Sequence, residues 1–136
     1  MFTDTEAFSG FSAPDMAAAR RFYADTLGIR VTEDHGMLNL HLAGRTPVLV
    51  YPKPDHVPAT YTILNFPVPD IEAAVDELTR RGVEFLRYDG MGQDDRGINR
   101  QGGPLIAWFT DPAGNVLSVI QEKQPAGQAT GEQPMA

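Results

Sequence analysis

Phe11-Ser12-Ala13-Pro14-Asp15-Met16-Ala17-Ala18-Ala19 and Phe66-Pro67-Val68-Pro69-Asp70-Ile71-Glu72-Ala73-Ala74 are two copies of one segment. A shift of 55 positions lays Phe11, Pro14, Asp15, Ala18 and Ala19 on Phe66, Pro69, Asp70, Ala73 and Ala74. It also lays Met16 on Ile71 and Tyr23 on Leu78, and Gly28 and Gly82 close the segments one residue out of step. An internal repeat of this length organises everything else in the chain. Asp15 and Asp70 read as N-caps, because a carboxylate accepts from the free N–H groups of a first helical turn. Behind them Met16, Ala19, Phe22, Tyr23 and Leu27, and then Ile71, Ala74, Val75 and Leu78, recur with the period of an amphipathic helix. Gly28 and Gly82 stand where a helix end needs a left-handed residue.

After each helix the pattern changes to short strands. In the first module they are expected over 29–33, 37–42 and 47–51, and in the second over 83–88, 104–110 and 115–121. Asp111-Pro112-Ala113-Gly114-Asn115 is a turn between the last two: Pro112 has a fixed φ and Gly114 can take a positive one. Module one covers 7–51 and module two 60–121. They are joined by a Pro-rich linker over 52–59, and together form one domain over 1–122. The tail over 123–136, rich in Gln, Gly, Pro and Ala, is expected to be disordered.

A net charge of −7 argues against a nucleic-acid footprint, which needs a basic face. The absence of cysteine excludes disulfides, thiolate nucleophiles and zinc-thiolate sites. No apolar run is long enough for a membrane span, and the first residues lack the features of a signal peptide. A cytoplasmic protein is expected.

A duplicated β-α-β-β-β unit carrying Phe22-Tyr23-x-x-x-Leu27-Gly28 and Asp111-Pro112-x-Gly114-Asn115 resembles the vicinal oxygen chelate superfamily of glyoxalases, bleomycin-resistance proteins and dioxygenases. The resemblance covers about residues 7–121. It implies an α+β fold of two tandem β-α-β-β-β modules, with the strands curled into a cup and the helices outside. It also implies a homodimer. The family's metal ligands fall at Phe8, Val50, Ile63 and Ser118 here. A divalent metal needs several imidazole or carboxylate groups at once, and these side chains supply none. No metal and no cofactor are therefore expected, and the family's metal-dependent reactions do not carry over.

Strand alternation assigns further side chains to the cup. Met37, Asn39 and His41 share one face of their strand, and Leu38, Leu40 and Leu42 pack under the helices on the other. With Phe8, Val50, Ile63, Asn65, Trp108, Ser118 and Ile120 they describe a mostly apolar cavity for a small organic molecule. The leading expectation is metal-independent binding of such a molecule, with antibiotic sequestration as the model. His41 is the one candidate for acid–base chemistry, in an enzyme of lyase, isomerase or dioxygenase type, which could also hold a metal at an atypical place. A structural or partner-binding module with a filled cup is the third reading. His35 and His56 are expected to be exposed loop residues. The loop over 89–102 is either a lid, using Arg96 and Arg100 or Asp94 and Asp95 on a charged ligand, or a solvated loop.

Overall fold

A computed structural model describes residues 1–44 and 46–122; the tail expected to be disordered lies outside the described residues. The chain divides into two compact units. Unit one comprises Met1–Thr60 with Asp111–Asn115, and unit two Tyr61–Thr110 with the chain from Val116.

Unit one contains β1 (Gly10–Ala13), α1 (Met16–Arg20), β2 (Arg30–Asp34), β3 (Met37–His41) and β4 (Val48–Pro52). The sheet order is β1-β4-β3-β2, with β1 parallel to β4 and the other pairs antiparallel. Asp15 caps α1, accepting from the Ala18 N–H at 3.1 Å. The helix is α-helical for five residues only and continues as a π-helix over Arg21–Thr26. There Leu27 donates to the carbonyl of Phe22, five residues back. His35 and Gly36, with φ of 54° and 78°, make the two-residue turn between β2 and β3.

The interior of unit one is organised by a buried carboxylate. Asp111 Oδ2 accepts from the Tyr23 hydroxyl at 2.6 Å and from Asn115 Nδ2 at 3.0 Å. Its Oδ1 accepts from the backbone N–H groups of Ala113 and Asn115, both at 2.9 Å. Burial first, and then the Asp111 charge and hydrogen bond, push the Tyr23 phenol far above its usual range, so it stays a donor at all ordinary pH. Asn115 Nδ2 also reaches the carbonyl of Ser12 at 3.1 Å. Gly114 has φ of 85°, and a Cβ there would stand 3.2 Å from Pro58 Cγ, so only glycine fits.

Unit two contains β5 (Thr62–Pro67), α2 (Ile71–Arg80), β6 (Leu105–Thr110) and β7 (Val116–Gln121). Its order is β5-β7-β6, with β5 parallel and β6 antiparallel to β7. This repeats the β1-β4-β3 part of unit one. The cap repeats as well: Asp70 accepts from the Ala73 N–H at 3.2 Å. Ile71 and Val75 of α2 are buried, as are Phe109 and Leu117 of the sheet.

Two parts of the expected architecture are corrected. The strands do not curl into a cup: they form two open sheets, of four and three strands, neither closed on itself. The strand expected over 83–88 is also missing as a regular element, making only one backbone bond to β6, from Leu86 N–H to Trp108 O at 2.8 Å. The neighbouring backbone groups are taken by a side chain instead. Gln93 accepts from the Tyr88 N–H and donates to the carbonyls of Leu86 and Gly97.

Replacing Tyr23 by Phe removes the shortest donor to a carboxylate that stays buried. The variant should lose about 1–3 kcal/mol in urea denaturation, with its secondary structure by circular dichroism unchanged.

Candidate functional site

Register decides which side chains face which way. In unit one Leu38 pairs with Val50, and Val50 with Phe11. Leu38, Leu40 and Val50 are fully buried, and the Phe11 ring meets Tyr23 of the helical segment at 5.9 Å, so this is the helix-side face. Val50 is therefore corrected: it lies with the leucines and not with Met37, Asn39 and His41. The opposite face carries Gly10, Leu49, Asn39 and Thr32 in one register row, with Ser12, Tyr51, Met37 and His41 around it. Met37, Asn39 and His41 are half-exposed there. His41 Nε2 and Thr32 Oγ1 are 2.8 Å apart, and no carboxylate among the described residues orients the ring. Phe8 precedes β1 and is 65% exposed, so strand alternation does not assign it a face.

In unit two Asn65, Ser118 and Trp108 are direct cross-strand neighbours, and Pro67, Ile120 and Ile106 form the next row on the same face. Asn65 and Ser118 thus sit side by side on one sheet. The Ser118 hydroxyl, fully buried, donates to Asn65 Oδ1 at 2.6 Å. Trp108 is half-exposed and meets Tyr88 edge-to-face, with ring centroids 5.4 Å apart. Ile63 is the extra residue of a register shift between Thr62 and Leu64, so counting by twos does not fix its direction.

The four positions implied for a metal do not fit one. Phe8, Val50 and Ile63 have no donor atoms, and the Ser118 hydroxyl is committed to Asn65. Among the described residues no three His, Cys, Asp or Glu side chains are grouped so as to hold a metal ion.

A constellation outside these faces was not legible in the sequence. His56, expected to be an exposed linker residue, is half-buried: its Nδ1 is 2.6 Å from Ser12 Oγ and its Nε2 is 3.2 Å from the carbonyl of Ala113. A carbonyl only accepts, so the neutral ring carries its proton on Nε2 and Nδ1 accepts from Ser12. The linker is thereby pinned to β1 and to the 111–115 turn. Two surface hollows also lie away from the residues expected to line the cup, the second of them beside Asp95 and Arg96 of the 89–102 loop. One, of about 110 Å³, is bounded by Ala13, Ala18 and Pro112. The other, of about 450 Å³, is bounded by Val75, Phe85 and Arg96.

The 89–102 loop is not an open lid. Ile98 is fully buried beneath it. Arg96 makes two bonds to Asp76 of α2, at 2.9 and 3.2 Å, and Arg100 bonds Glu72 at 2.5 Å and Asp94 at 2.8 Å. These guanidinium groups are engaged with the protein's own carboxylates. Burial pushes the Asp94 carboxyl up, but the Arg100 guanidinium and the N–H groups of Ile98 and Arg96 outweigh it and hold the group below its usual range.

The sequence matches the model of the Glyoxalase/Bleomycin resistance protein/Dioxygenase superfamily over residues 9–119, and the chain belongs to that superfamily. Solved structures agree. TnmS3, an antibiotic-binding protein from Streptomyces sp. CB03234, is 25% identical, with a TM-score of 0.64 over 89% of this chain and 99% of its own. A glyoxalase family protein from Bacillus anthracis is 19% identical, with a TM-score of 0.68 over 90% and 100%. A superfamily member from Sphaerobacter thermophilus DSM 20745 is 24% identical, with a TM-score of 0.63 over 85% and 97%. No curated protein matches the chain. Among the described residues no helix is long and apolar enough to cross a membrane.

Because Asp94 has a lower pKa folded than unfolded, its contribution to stability is full above the unfolded value of about 3.9 and fades as pH falls through the folded one. The stability difference between the protein and an Asp94→Asn variant should be constant from pH 7 to about 5. It should shrink in more acid solution, as read from urea midpoints.

Proposed function

We propose that this protein binds a small, mostly apolar organic molecule without using a metal, and sequesters it rather than transforming it. The observation that carries the reading is the replacement of the superfamily's metal-ligand types by apolar side chains and Ser118. Other half-exposed residues on the helix-free faces, Met37, Asn39, Trp108 and Ile120, offer apolar surface with isolated hydrogen-bonding groups. Small-molecule sites are commonly built that way. Further support comes from TnmS3, which matches most of this chain and is described as antibiotic-binding. An antibiotic is accordingly the leading class of ligand, and the charge of −7 favours neutral or cationic members through long-range attraction. The homodimer implied by the family resemblance is part of the proposal.

The test is a panel of antibiotics and other small organic compounds titrated by calorimetry and ¹⁵N NMR, with and without EDTA. At least one compound should bind saturably, shift resonances of Asn39, Asn65 or Trp108, and be recovered chemically unchanged. Its affinity should stay within about twofold in the chelator. Turnover of a bound compound that His41→Ala abolishes, or loss of binding in EDTA, would overturn the reading.

A further inference from the structure

The register row of unit two has two differently prepared ends. At one end Ser118, fully buried, donates to Asn65 Oδ1 at 2.6 Å. The amide oxygen is therefore turned toward Ser118 and the NH2 group away from it. Asn65 is exposed, and its Nδ2 has no protein partner among the described residues. A primary amide nitrogen donates and does not accept, so this end presents donors whose orientation is already set. At the other end stands Trp108, the only tryptophan of the chain. Its indole is half-exposed and held against Tyr88 at an interplanar angle of 84°. An edge-to-face contact of that kind restrains the indole plane. Trp108 pairs with Ser118 and Ser118 with Asn65, so the two ends are two strand spacings apart, about 10 Å. Ile106 and Ile120 lie in the adjoining row, so the surface beside the line is apolar.

We propose that this row binds a planar aromatic molecule of more than one ring that carries a carbonyl oxygen. The rings stack on the Trp108 indole, and the carbonyl accepts from Asn65 Nδ2. The inference rests on the small-molecule reading above and narrows it to a ligand class. A single ring does not span the row. A compact aliphatic ligand leaves the indole face without a stacking partner. A ligand with only N–H groups at the Asn65 end places donor against donor.

Xanthone and xanthene test this directly, since both are three-ring molecules of nearly the same outline and only xanthone has the carbonyl. Camphor, a compact non-planar ketone, is the third probe. Each is titrated into the full chain while the single indole fluorescence and the Asn65 side-chain NH2 resonances are followed. Xanthone should quench the indole saturably and shift the Asn65 amide, and xanthene should bind about five- to tenfold more weakly. Asn65→Ala, at an exposed position, should lower xanthone affinity to the xanthene level and leave xanthene unchanged. Trp108→Phe should retain binding of both, and Trp108→Ala should lose both. Equal affinity for xanthone and xanthene overturns the role of Asn65. Binding of camphor without xanthone overturns the aromatic row and leaves the small-molecule reading standing. Failure of all three probes and of the antibiotic panel overturns both.

Discussion

The Asp111 carboxylate is buried and is met by four donors and, among the described residues, by no cation. A charge removed from water is tolerated only when hydrogen bonds replace its hydration, and charge-assisted bonds are the strong ones. Unit one is arranged to supply them. The π-helical turn carries Tyr23, and the 111–115 turn folds its own N–H groups back on the carboxylate. Asn115 passes the connection to the carbonyl of Ser12 on β1, and Ser12 passes it through His56 back to Ala113. The two short motifs that mark the superfamily in the sequence are, physically, the donor and the acceptor of one buried bond.

The sheets build their helix-free faces by a simpler rule. Side chains alternate, so register alone decides whether a residue joins the core or the helix-free face. The unit-one face holds Asn39 and His41 because β3 buries Leu38 and Leu40. The unit-two face holds Trp108 and Ser118 because their neighbours Phe109 and Leu117 fill the interior. In neither case does the polar residue need a special local structure.

Much of this was readable from residue types alone. The repeated caps at Asp15 and Asp70, the turn at Gly114 and the alternation along β3 each depend on local chemistry, and local chemistry is what a sequence displays. Val50 was misplaced because its face depends on pairing with Leu38 and Phe11, and an error of one residue reverses it. Ile63 fell in a register shift that composition does not signal. The 83–88 segment has strand-like alternation, yet the Gln93 side chain takes the bonds a strand would have offered its neighbour. His56 gave no sign of its role, because its partners Ser12 and Ala113 lie 44 and 57 residues away. The curled cup came from family likeness and not from any residue, and the two sheets remain open.

The bond between Tyr23 and Asp111 spans 88 residues of chain, and the backbone leaves unit one at residue 60 before returning for Asp111–Asn115. That sets an order of events during synthesis. The first sixty residues leave the ribosome with the Tyr23 hydroxyl lacking its acceptor and the Ser12 carbonyl lacking its Asn115 donor. At ordinary elongation rates the missing turn follows Tyr23 by on the order of ten seconds. For that interval unit one is a nascent chain with an incomplete interior, and it closes only after Tyr61–Thr110 of unit two has been made.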